Sequence, residues 1–145
     1  QFANKNILQT EYEELEAASL YNLNLKGKNF RSAILFALAR AIHANNPQIK
    51  NKHVEDKDLL VFENTKQYEQ VVTLAACIEI AHNSSLLQDD IIDRTESRRS
   101  RPAAHKIFGP SSSVFASDFM IARASRMLTY QFDNTHMSQL YSTAI

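Results

Sequence analysis

Residues 67–93 read QYEQVVTLAACIEIAHNSSLLQDDIID, without a glycine or a proline. The run predicts one continuous helix, about 40 Å long at about 1.5 Å per residue. It ends in an acidic cluster, Asp89, Asp90 and Asp93. Working outward, residues 30–44 (FRSAILFALARAIHA) are apolar on nearly every side apart from Arg31, Arg40 and His43. A helix apolar all round is usually central and buried, and that is the expectation for this one. Upstream, residues 7–25 predict an amphipathic helix whose Ile7, Leu8, Tyr12, Leu15, Ala18 and Leu20 lean to one side. Thr10 followed by Glu13 resembles a capping box, and Gly27 is placed to end the helix. Between the apolar helix and the long one, residues 45–66 are rich in Asn and Lys and predict an exposed polar loop.

Downstream of the acidic end, residues 94–101 read as a charged linker. Pro102 is placed to open a short helical turn that Gly109 ends. Pro110 with Ser111 to Ser113 starts a further helix, and Asp133 or Asn134 is positioned to cap a last one that runs to Ile145. The expected fold class is all-α, an antiparallel helical bundle, with residues 1–145 as part of a single domain.

Composition supports this. The chain has 145 residues but only two glycines, Gly27 and Gly109. Average usage of about 7% would give about ten. Tight hairpins and phosphate-cradling loops consume glycine, so a Rossmann domain, a P-loop and most multi-stranded β folds are disfavoured. Sixteen basic and sixteen acidic residues cancel, which leaves no electrostatic surplus for nucleic acid or an anionic membrane. No apolar run reaches the roughly 18 residues of a membrane span. Cys77 is the single cysteine; it fits a reducing compartment, excludes a cysteine-rich zinc site and reads as a small buried hydrophobe.

The chemistry concentrates at the acidic helix end. Asp89 and Asp93 are one turn apart and share a face. Carboxylates at a helix C-terminus sit against the negative end of the macrodipole. A divalent cation removes that conflict, and an oxygen-only donor set suits Mg²⁺, which keeps waters and bridges carboxylates to substrate phosphates. Arg94, Arg98, Arg99 and Arg101 follow at once. Guanidinium forks match phosphate oxygens, so acids that hold metal beside arginines that hold phosphate describe a chelated-diphosphate site. Gly27-Lys28-Asn29-Phe30-Arg31 puts two cations at the positive end of the apolar helix, a second anion-binding element. His82 lies two turns before Asp89 on the same face. Glu79, one turn before His82, receives no role.

Together these stretches resemble the trans-type polyprenyl diphosphate synthases. The resemblance rests on GKNFR at 27–31, EIAHNSSLLQDDIID at 79–93, TESRRSRPAAHKIFG at 95–109 and FASDFMIARA at 115–124, in family order and spacing. It implies antiparallel helices around a central cavity and the condensation of isopentenyl diphosphate with an allylic diphosphate. Carried over by position, Asp89, Asp90 and Asp93 hold Mg²⁺ and, with Arg98 on the allylic diphosphate, form the catalytic set. Lys28, Arg31, His82 and Arg99 bind isopentenyl diphosphate. Ser84 and Ser85, just before the acids, would leave the path of the growing chain open, which implies a long-chain product.

Departures from the family pattern are Ser32 for the usual proline, Ser100 for the usual glycine, Ser117 for the glycine before Asp118, and Gln88 ahead of the acids. Family members are longer, and their second half supplies another aspartate-rich motif and further lysines. These 145 residues alone are therefore expected to be inactive. The competing readings are a non-catalytic paralogue that completes an active partner, a terpene cyclase (for which Lys28, Arg31 and His82 have no use), and a helical interaction domain with a cation-binding acidic end. The resemblance further implies a homodimer, or a heteromer, with residues 112–128 as a candidate surface. An intracellular site of action, in cytoplasm, mitochondrion or plastid-type organelle, is expected, and from Gln1 the natural start is expected to lie outside this sequence.

Overall fold

The computed structural model describes residues 7–25, 28–46 and 66–132, with the isolated positions 139 and 143. These segments form α1 (Glu13–Leu23), α2 (Phe30–Ala44), α3 (Lys66–Ile92), a hairpin of β1 (Ser97–Arg98) and β2 (Arg101–Pro102), α4 (Ala104–Phe108) and α5 (Pro110–Gln131). The all-α expectation holds. Positions 47–65 of the expected polar loop, Gly27, and the caps Asp133 and Asn134 lie outside the described residues.

The bundle is built on the pairing of α3 with α5. Small side chains let the two helices meet closely and tie them by hydrogen bonds. The Cys77 thiol donates to the Ala124 carbonyl at 3.4 Å. The Ser84 hydroxyl donates to the Ser117 carbonyl at 2.9 Å and lies 2.7 Å from the Ser117 hydroxyl. Moving up α3 from 77 to 84 moves down α5 from 124 to 117, so the helices are antiparallel. Ile80 and Leu87 of α3 join Ala116, Met120, Ala124 and Leu128 of α5, with Ala18 of α1, Ala104 of α4 and Leu8, in one buried cluster. No helix among the described residues is long and apolar enough to cross a membrane.

Three expectations are corrected. The first helix begins at Glu13 rather than residue 7, with Tyr12 as its N-cap and no side-chain cap. The capping box does not form; the Thr10 amide donates instead to Glu16 Oε2 at 3.1 Å. Three glutamates in that first turn complement the positive helix end and make the cap less necessary.

Second, α2 matches its expected span but contains no buried residue. Phe30, Ile34, Leu38 and Ile42, four residues apart in sequence, stand 51–67% exposed. The helix packs substantially on α3 alone among the described elements, with Phe36 against Tyr68 at 5.9 Å between ring centroids.

Third, the charged linker is a hairpin, with Ser97 opposite Pro102 and Arg98 opposite Arg101. Its two-residue loop is Arg99–Ser100, both with positive φ (52° and 63°), as a type I′ turn demands. The chain reaches it through a Schellman ending of α3: Arg94 has φ 54°, and the amides of Arg94 and Thr95 donate to the carbonyls of Ile91 and Asp90. Pro102 thus belongs to β2, and the short helix starts at Ala104. Gly109, at φ 81°, ends it as expected, and Pro110 occupies the first turn of α5.

Candidate diphosphate and metal site

Helical spacing sorts the C-terminal half of α3 into two rows. Asn83, Ser84, Leu87 and Asp90 are buried, whereas Ser85, Asp89 and Asp93 are exposed. Successive residues of a helix point about 100° apart, so Asp89 and Asp90 cannot face the same way. Asp90 is 1% exposed. Its carboxylate accepts from Arg98 Nε at 2.8 and 3.0 Å, and from Arg98 Nη2 as well. The three expected metal ligands are thus placed unequally. Asp90 turns inward to an arginine, and Asp89 and Asp93 are left one turn apart in the open. Among the described residues no three acidic, histidine or cysteine side chains come together as a metal cage. Two exposed carboxylates are still a sound fit for Mg²⁺, which takes one or two protein carboxylates and fills its sphere with water and substrate phosphate.

The hairpin places the arginines. Arg98 on β1 reaches back along α3 to Asp90, and this hydrogen bond, with the charges of Asp90, Asp89 and Asp93, pushes its pKa upward against the opposing effect of burial. The fork of Nε and Nη2 is occupied, which leaves Nη1 for an anion. Arg99, at the turn, donates from Nη1 to the Leu25 carbonyl at 2.8 Å and so joins the hairpin to the chain just after α1. Tyr21 makes a parallel link, its hydroxyl donating to the Pro102 carbonyl at 2.8 Å.

His82 is where the distant elements meet. Burial lowers its pKa most; Arg31, Arg99 and Arg98 lower it further, and Glu79 opposes them. Arg31 from the start of α2, and Arg98 and Arg99 from the hairpin, are thus close enough to act on one imidazole midway along α3. Lys28, exposed ahead of α2, is not among the charges acting on His82. Through Arg98 on Asp90 and Ser32 on Glu79, the structure holds the hairpin and the start of α2 against α3, with Asp89 two turns beyond His82 on the same helix face.

The two serines separate. Ser84 is fully buried, with its hydroxyl on Ser117 of α5. Ser85 is exposed, and its hydroxyl donates to the His82 carbonyl at 2.9 Å. Of the two serines expected to line an open path, Ser84 is packed against α5 and Ser85 faces outward. Two residues acquire contacts that sequence reasoning left aside: the Ser32 amide and hydroxyl both donate to Glu79 Oε1, at 3.3 and 2.9 Å. The spacing of Glu79 one turn before His82 was the available signal.

A helical bundle of this order is the isoprenoid synthase fold, and solved structures agree. A polyprenyl synthase from Caulobacter crescentus, complexed with calcium and isoprenyl diphosphate in its crystal, superposes over 97% of this chain and 36% of its own with a TM-score of 0.75 at 25% identity. Residues 12–145 match the profile of the family described as polyprenyl synthetase, and the chain belongs to that family. Among curated relatives, subunit 1 of the Schizosaccharomyces pombe decaprenyl-diphosphate synthase is 29% identical over 145 residues, 97% of this chain and 38% of that protein. The human all trans-polyprenyl-diphosphate synthase is 34% identical over 129 residues, 88% of this chain and 27% of that one. The chain thus spans about a third of the length of the curated relatives it matches.

Proposed function

We propose that this chain provides the substrate-binding face of a prenyltransferase that condenses isopentenyl diphosphate with an allylic diphosphate. The observation that carries the reading is the Arg98–Asp90 pair beside the exposed Asp89 and Asp93, with the start of α2, which carries Arg31, tied to α3 one turn from His82 through Ser32 and Glu79. The naming of the yeast and human relatives as polyprenyl diphosphate synthases supports it.

In the reaction the allylic carbon–oxygen bond breaks, and its electron pair leaves with diphosphate. The isopentenyl double bond supplies the pair for the new carbon–carbon bond, and loss of a proton restores a double bond. Arg98, through Nη1, donates to the departing diphosphate as its charge grows, where a preorganised cation contributes most. Lys28, Arg31, His82 and Arg99 hold isopentenyl diphosphate. Mg²⁺, held by Asp89 and Asp93, would neutralise the leaving diphosphate.

A long-chain product is part of the proposal. It is supported by the small side chain at Ser85, on the row that leads to Asp89, and by the decaprenyl product in the yeast relative's name. Assembly as a dimer belongs to the proposal too, and the naming of that relative as one subunit of its synthase supports a heteromer.

The test is mass spectrometry of products from the complete protein with both diphosphates and Mg²⁺. A long polyprenyl series is expected, lowered roughly 10²–10³-fold by Asp89→Ala or Asp93→Ala and shortened by Ser85→Phe. No product, with activity restored to a partner synthase on mixing, would favour the second reading, a non-catalytic subunit. Residues 1–145 alone should give no condensation in the same assay.

A further inference from the structure

The first turn of α2 is capped from another helix. Its N-cap, Asn29, takes a left-handed conformation (φ 44°, ψ 38°) and makes no side-chain cap. The amide of the third residue, Ser32, which an N-cap side chain usually satisfies, donates instead to Glu79 Oε1 on α3 at 3.3 Å, and the Ser32 hydroxyl donates to the same oxygen at 2.9 Å. A proline at this position, the residue usual in the resembling family, has neither donor. The link joins positions 47 apart in sequence. It sits beside Arg31 on one side and one turn from His82 on the other. Because α2 buries no side chain and packs substantially on α3 alone among the described elements, little else fixes the end of α2 that carries Lys28 and Arg31.

We propose that Ser32 and Glu79 are positioning residues: their paired hydrogen bonds dock the N-terminus of α2 on α3 and set Arg31 on the His82 side as part of one anion-binding face. This rests on the proposed function, in which that face takes isopentenyl diphosphate. Glu79 adds a second contribution. Its negative charge partly offsets the effect of Arg31, Arg98 and Arg99 on His82. Glu79 thus holds the helix start that carries Arg31, without touching substrate.

The test is calorimetric titration of the complete protein with isopentenyl diphosphate and, separately, with an allylic diphosphate. Ser32→Ala and Glu79→Ala should each weaken isopentenyl diphosphate binding by about tenfold, the scale of losing a charge-assisted hydrogen bond. Allylic diphosphate affinity should stay within about twofold, and Ser32→Thr, which keeps both donors, should bind like the parent. Ser32→Ala removes the hydroxyl bond and keeps the amide one, whereas Glu79→Ala removes both, so the double variant should be no worse than Glu79→Ala alone. Additive losses, unchanged binding in Ser32→Ala, or equal losses for both diphosphates in folded protein would overturn the inference. A parent that binds neither diphosphate would overturn the proposed function itself.

Discussion

Arg98 grips Asp90 through Nε and Nη2 across the turn that closes α3, and the carboxylate it holds is 1% exposed. The contact joins the acidic helix end to the hairpin, so the two halves of the candidate site share one covalently distant but physically fixed corner. It also divides the three aspartates by role. Removing Asp90 leaves a half-buried guanidinium without its partner. Asp90→Ala should cost about 2–3 kcal/mol, below the 3–5 of a fully buried pair because Arg98 can rehydrate. Asp89→Ala and Asp93→Ala, which remove exposed negative charge from a negative helix end, should leave stability unchanged or raise it by a few tenths of a kcal/mol. Urea unfolding of the three variants separates these outcomes, and equal effects at 89 and 90 would contradict the division.

Ser100 is predicted to be a strained residue. It holds φ 63° next to Arg99 at φ 52° in a two-residue hairpin loop. The left-handed region penalises a Cβ, whereas glycine enters it freely but loses more entropy on folding. The balance favours Ser100→Gly by about 0.5–1 kcal/mol. A rise in thermal midpoint checks this, and a fall would show that the serine side chain stabilises the turn.

Cys77 should be chemically silent in the folded protein. It is fully buried, its thiol donates to the Ala124 carbonyl, and burial pushes its pKa up to about 12. Thiolate is the reactive form, so a disulfide reagent at mild pH should label it only after denaturant is added. Rapid labelling of native protein would mean that the seam between α3 and α5 opens readily.

The elements that sequence made legible are those whose signal is local. The long helix ends within one residue of expectation because nothing in 67–93 breaks a helix and Asp93–Thr95 must turn. Gly109 and Pro110 mark a boundary by backbone chemistry alone. What sequence could not show was which side chain meets which. The apolar run of α2 says that its surface favours burial, but Phe30, Ile34, Leu38 and Ile42 find no cover among the described residues. The motif of three aspartates suggested three ligands, although a turn of about 100° per residue already required Asp90 to face elsewhere; its partner, Arg98, depended on a hairpin that reads as a linker. Glu79 receives no role from sequence for the same reason, since its partner Ser32 is 47 positions away.

His82 sets the last prediction. Burial, then Arg31, with Arg99 and Arg98, hold its imidazole below the ordinary value of 6.5, against Glu79. An unfolded chain takes up this proton near 6.5, while the folded protein takes it up only at lower pH. Between those two values the unfolded state binds more protons, so stability must fall as pH drops through 6.5, and the fall ends once the folded imidazole is also protonated. Above 6.5 the group is neutral in both states and contributes no slope. His82→Gln, which cannot titrate, should therefore lose less stability than the parent between about pH 7.5 and about pH 5.5, measured as the shift in urea midpoint. A diphosphate bound among Arg31 and Arg99 would counter their charge and lift the imidazole again, so binding by the parent near pH 6 should draw a proton from buffer, and binding by His82→Gln should draw less. Identical pH slopes in parent and variant would mean that His82 does not feel the arginines that the fold gathers around it.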